Sequence, residues 1–130
     1  METFPSPAVL LFNLPQDPRR ARIEAYLLGR GVRVVPVKAD RFHWPIGALL
    51  GLPGYDAPQT KSFPTFSDEM LVMSGFDQAM LQGFLDFFSR EKLPRIALKA
   101  MLTPYNAAWD ANELHRHLSA EHEKLGQLRK

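Results

Sequence analysis

Cysteine is missing from all 130 residues. That excludes disulfides, thiolate nucleophiles and iron–sulfur ligation together, and it fits a reducing compartment, so the cytoplasm is the expected location. Long apolar runs are missing as well, and nothing approaches the ~20 residues of a membrane span. The early stretch Ala8–Phe12 has no basic residue before it and no small-residue cleavage site after it. It does not read as a secretory signal, and no membrane partner is expected. Neither sign of charge dominates: 16 Lys and Arg face 14 Asp and Glu, for a net charge of +2. These charges are interspersed, whereas a nucleic-acid binder gathers them on one face. The composition therefore argues against a nucleic-acid partner, and Lys124, Arg129 and Lys130 read as a solvated helix end.

What is present is an alternation of short apolar runs and amphipathic stretches. Four strands are predicted at Ala8–Asn13, Val32–Val37, Met70–Ser74 and Arg95–Met101. Between the first two, a helix is predicted from Pro18 to Arg30, with Asp17 as its cap, Pro18 at its first position and Gly31 just past its end. Between the last two, a helix from Gln78 to Lys92 is capped by Asp77, and Phe76 can pack on Leu81. Each half then adds a helix: a short one over Trp44–Leu50 and a longer one from Ala111 to Lys124. Asp110 caps the longer helix, Trp109 can fold onto Leu114, and its apolar stripe is Ala111, Leu114, Leu118 and Leu125. The halves also align without a gap. Leu10-Leu11-Phe12 fall on Leu71-Val72-Met73, Ile23 and Leu27 on Phe84 and Phe88, and Val35 and Lys38 on Ile96 and Lys99. An internal repeat of two βαβα units is therefore expected.

The organisation read from this is a single α/β domain. Residues 8–52 form one half, 53–68 a Pro-rich loop and 69–125 the other half. Three prolines, Pro53, Pro58 and Pro64, exclude a helix or a central strand from the loop, while its Tyr and Phe content predicts packing over the domain. The expected fold is a four-stranded, mostly parallel sheet, its first and third strands central, with helices on both faces. The alternative is a ferredoxin-like two-layer sandwich, which the partly amphipathic edge strands with Arg33 and Arg95 would suit.

Chemistry is thinly signalled, and catalytic residues cannot be assigned. The turns after the first and third strands, NLPQDP and SGFDQA, match no phosphate-binding loop. Ser74 before Gly75 reads as a plain strand-to-helix turn, with no nucleophile elbow around it. His115, His117 and His122 with Glu113 and Glu121 split between helix faces, so no metal site and no cofactor is expected. The densest constellation runs from Lys99 to Asp110. A lysine inside an apolar strand needs a carboxylate, an anion or water for its amine. Thr103, Asn106 and Trp109 follow within one turn, where α/β folds place ligands at strand ends. The competing reading has Lys99 snorkelling from an edge strand, Thr103 capping and Asn106 shaping a turn.

FNLP, GALLGLPGY, MLVMSGFD and above all ALKAMLTPYNAAW resemble an uncharacterised bacterial domain-of-unknown-function family, the one numbered 3783. The similarity is densest from Met70 to about His122. It implies no activity, but it does imply that Lys99, Thr103, Asn106 and Trp109 form the family's distinguishing motif. The function expected is thus a small non-catalytic binding or regulatory domain, its partner another protein or a small anionic ligand. The alternatives are a metabolite-binding domain or enzyme using the Lys99–Trp109 region, and an RNA-associated protein. A pocket beside Lys99 would favour the anion. An exposed patch of Trp44, Phe63 and Phe66 would favour a protein.

Overall fold

Strand and helix alternate as their local signals dictate, in a computed structural model that describes residues 6–58 and 63–128. The elements are β1 (Ala8–Phe12), α1 (Pro18–Leu28), β2 (Arg33–Val37), α2 (Ile46–Leu49), β3 (Met70–Ser74), α3 (Gln78–Arg90), β4 (Leu98–Met101) and α4 (Ala111–Leu128). Single 3-10 turns at Ala39–Arg41 and Asn106–Ala108 precede α2 and α4. The caps are those the sequence predicts. Asp17 accepts from the Arg20 amide at 2.9 Å, Asp77 from Met80 at 2.8 Å and Asp110 from Glu113 at 2.8 Å. Each satisfies one of the amides a helix leaves unpaired at its start. Boundaries shift modestly: α1 ends two residues before Arg30, α2 is confined to four residues, and β4 begins three residues after Arg95.

The four strands form one sheet in the order β2-β1-β3-β4. β1 and β2 run parallel, as do β3 and β4, but β1 and β3 meet antiparallel, with Leu10 opposite Val72 and Leu11 opposite Leu71. The sheet is therefore mixed and mostly parallel, and its first and third strands are central. Every residue of β1 and β3 is buried, as strands covered on both faces must be. β2 carries Arg33 and Pro36 where an edge strand tolerates them.

Alternate side chains build two cores. Val9, Leu11, Leu71 and Met73 pack with Ile23, Leu27, Phe84, Phe87 and Phe88 of α1 and α3. Ala8, Leu10, Phe12, Met70 and Val72 pack on the opposite side with Ile46 of α2 and Ala111 and Leu114 of α4. The α/β architecture with helices on both faces is thus the one present. The two βαβ helices share a face, as in the two-layer alternative, but α2 and α4 cover the other side.

The gapless match between halves is wrong in three dimensions. Leu10 faces α2 and α4, whereas Leu71, the residue laid on it, faces α1 and α3. A slip of one residue sends every strand side chain to the opposite face. Nor do Lys38 and Lys99 correspond. Val9, second in β1, pairs with Val34, and Leu71, second in β3, pairs with Lys99, so the counterpart of Lys99 is a valine. Lys38 lies beyond the end of β2 and is exposed.

The Pro-rich connection is fastened at several points, although residues 59–62 fall outside the described chain. The Tyr55 ring lies against Gly47, where an added Cβ would come within 2.5 Å of it. Phe66 stacks on Phe42 at 4.6 Å and on the His115 ring at 4.2 Å. Asn13, in a left-handed conformation at φ 62°, turns its amide to the carbonyls of Phe66 and Asp68. Asn112 donates to Pro64. Trp44, Phe63 and Phe66 are all half-buried, so the exposed aromatic patch conceived from the sequence is not there. The Leu125 side chain and residues 129–130 also lie outside the described part. No helix of the described residues is long and apolar enough to cross a membrane.

Candidate functional site

Lys99 sits on edge strand β4, pairs with Leu71 and points to the α1/α3 side of the sheet, as its neighbour Met101 does. Its stem crosses apolar surface, and its amine curls back to donate to the Ile96 carbonyl at 2.6 Å. Burial holds the Lys99 pKa below the usual lysine value, and the nearby Arg95 charge lowers it further. A cleft of about 320 Å³ opens between β4 and α3, walled by Gln82, Asp86, Phe88, Ser89, Arg95 and Lys99. Arg95 reaches the Ser89 hydroxyl at 3.3 Å, and Asp86 accepts from Gln82 at 2.9 Å. Among the described residues the ion pairs are Arg19–Glu69, Arg20–Glu24 and His115–Asp68, so Lys99 and Arg95 face the cleft without a carboxylate partner.

The other three residues singled out with Lys99 are occupied elsewhere. Thr103 and Asn106 bond each other reciprocally across the turn that leaves β4. The Thr103 amide donates to Asn106 Oδ1 at 2.8 Å, and the Asn106 amide donates to Thr103 Oγ1 at 3.1 Å. Asn106 Nδ2 reaches back to the Met101 carbonyl at 3.0 Å. This is the logic of a capping box, applied to one 3-10 turn. Trp109 packs against the α2/α4 core, stacks on His117 at 4.3 Å, and accepts from the Ile46 amide at 2.7 Å through its carbonyl. The fold therefore does not bring the four together: Lys99 is on one face of the sheet and Trp109 on the other.

The histidines divide in the same way. His115 bonds Asp68 at 2.8 Å, His117 lies under Trp109, and His122 lines a separate depression with Glu69 and Glu123. Among the described residues no three metal-ligating side chains converge.

Residues 69–125 match the family model described as Domain of unknown function (DUF3783). The second half of the chain is similar to that family. The match takes in β3, α3 and β4 and reaches Leu125 within α4, so it contains Lys99, the Thr103–Asn106 turn and Trp109. It leaves out β1, α1, β2 and α2, of which β1 and β2 complete the sheet beside the matched segment. No curated protein and no solved structure matches the chain.

The sequence reading missed a larger groove, of about 470 Å³, between α1 and α3. Leu27, Val32, Phe76 and Met80 wall it, and Tyr26 enters from α1 opposite Gly83 of α3. A Cβ on Gly83 would stand 3.2 Å from the Tyr26 hydroxyl, so the missing side chain makes room for that phenol. Arg30, Asp86 and Arg90 lie at the rim, with the Arg30 guanidinium 3.7 Å over the Tyr26 ring. One signal was available beforehand. Glycine inside a helix costs about 1 kcal/mol relative to alanine, and Gly83 lies in the middle of α3.

Proposed function

We propose that the protein is a non-catalytic binding module that holds a small anion in the cleft between β4 and α3. The observation supporting this is the pair of cationic side chains, Lys99 and Arg95, lining one concavity with no carboxylate paired to either among the described residues. Two like charges held close together in a half-buried cleft repel, and a bound anion relieves that repulsion while accepting their hydrogen bonds. The Lys99 ammonium has three N–H groups and commits one to Ile96, which leaves two for a ligand. Asp86 on the same wall limits the net local charge, which suits a small, singly or doubly charged oxyanion. Thr103 and Asn106 serve this reading indirectly, by fixing the turn that leaves β4, and Trp109 takes no part in it.

The test is titration with inorganic phosphate and with acetate, followed by amide NMR shifts and by the melting temperature, for the wild type, Lys99→Met and Arg95→Gln. The expected result is saturable shifts centred on Ser89, Arg95 and Lys99, with a rise in melting temperature that both substitutions remove. A ligand at a hundred times its Kd contributes about 2.7 kcal/mol, enough to be read clearly. If Lys99→Met responds to both anions as the wild type does, the reading fails.

A further inference from the structure

The groove between α1 and α3 is a second site, sharing Asp86 with the cleft beside β4, and we infer that it takes a small amphiphilic monocarboxylate, an acid with an aromatic or short acyl body. Its volume of about 470 Å³ falls within the range of small-molecule pockets. The floor and walls are apolar: Leu27, Val32, Phe76 and Met80. Two features distinguish it from a casual gap between helices. The first is Gly83, whose absent side chain admits the Tyr26 hydroxyl at mid-groove, 3.2 Å from where a Cβ would stand. Alanine would suit the helix better, so the glycine keeps the Tyr26 phenol in the groove wall at a cost in stability.

The second feature is the charge on the rim. Arg90 ends α3 and Arg30 follows α1 by two residues, and neither is in an ion pair among the described residues. Arg30 is held in place by the Tyr26 ring beneath it and by the Tyr26 carbonyl, which accepts from it at 3.3 Å. Asp86 contributes one negative charge to the same rim and is tied to Gln82. Two guanidiniums against one carboxylate leave a single positive charge. That complements one carboxylate head and disfavours a dianion, while the apolar floor excludes a bare inorganic ion. A guanidinium also matches a carboxylate through two parallel N–H bonds, which fits the head to the rim and the body to the floor.

The probes are octanoate and phenylacetate, with octanol as the uncharged control and inorganic phosphate as the headless one. Binding is read by amide NMR shifts at Tyr26, Met80 and Gly83 and by calorimetric titration. Both acids should bind, octanol should bind at least roughly tenfold more weakly, and phosphate should leave these amides unmoved. Gly83→Leu fills the opening and should abolish octanoate binding. The double variant Arg30→Gln, Arg90→Gln changes only exposed side chains, so it keeps the test open if Gly83→Leu does not fold. It should weaken octanoate roughly tenfold and leave octanol unchanged. Lys99→Met should bind octanoate as the wild type does, which separates this site from the cleft beside β4. Equal affinity for octanoate and octanol, full octanoate binding in the double arginine variant, or shifts confined to residues outside the groove would each overturn the assignment.

Discussion

Replacing Asn106 with alanine removes an acceptor and a donor from a turn that has no substitute for either. Asn106 is 8% exposed, and its side chain takes the Thr103 amide at 2.8 Å and gives to the Met101 carbonyl at 3.0 Å. The third bond, from the Asn106 amide to Thr103 Oγ1, survives in the variant because it uses the backbone. Each stranded partner costs about 1–3 kcal/mol when shut away from water. Thr103 is exposed and Met101 half-buried, so solvent recovers part of that and the sum comes to about 2–3 kcal/mol. With a urea m-value of about 1.5 kcal/mol per molar, the unfolding midpoint should fall by about 1–2 M. Thr103→Val, which loses only the hydroxyl acceptor, should cost about 1 kcal/mol. The double variant should cost less than the sum of the singles, because both report on one reciprocal pair. An Asn106→Ala midpoint equal to that of the wild type would refute this structural account and return Asn106 to the list of ligand contacts.

Phe84 is fully buried, with Phe88 at 5.2 Å and Tyr26 at 5.8 Å between ring centres. Phe84→Ala should therefore cost about 3–5 kcal/mol in chemical denaturation. Asp110→Ala should lose about 1 kcal/mol by uncapping α4, with a matching loss of helical circular dichroism on partial unfolding; no loss would mean the cap is idle. Lys99 supplies a pH signature. Its folded pKa lies below the unfolded 10.5, so between those two values the unfolded chain binds more protons and stability rises with pH. The cost of keeping the amine charged is full below the folded value and disappears as the pH climbs to 10.5. The stability difference between wild type and Lys99→Met should accordingly change over that window and stay flat below it, and a constant difference would contradict the burial argument.

Features that depend on near neighbours in sequence were legible. Asp17, Asp77 and Asp110 cap helices because each stands before an amphipathic run, and the amides they bind lie three residues on. β3 was readable to the residue, since MLVMS is bounded by Glu69 and Gly75. The direction of β1 against β3 was not, because it depends on a connection of more than fifty residues that carries no directional signal. The false alignment of halves has the same origin: apolar strands buried on both faces have no alternation, so a slip of one residue leaves no trace in the pattern. Lys99 stood out as a charge within an apolar strand. The α1/α3 groove did not, because its walls come from helices of opposite halves, and Gly83 alone hinted at it.

The antiparallel seam between β1 and β3 also decides what kind of electrostatic device the molecule can be. In an all-parallel sheet every helix starts at the same edge, and the positive poles of the helix dipoles gather there into one anion-attracting rim. Here α1 runs back along β1 and α3 back along β3, so the two helices point in opposite directions on one face. The start of α3 lies beside the end of α1, and their poles cancel along the groove. The Asp17 and Asp77 side chains further neutralise each start. The starts of α1 and α3 thus do not add up to one anion-attracting rim. A negatively charged ligand in either cavity is met by side-chain cations, Lys99 and Arg95 on one flank of α3 and Arg30 and Arg90 on the other.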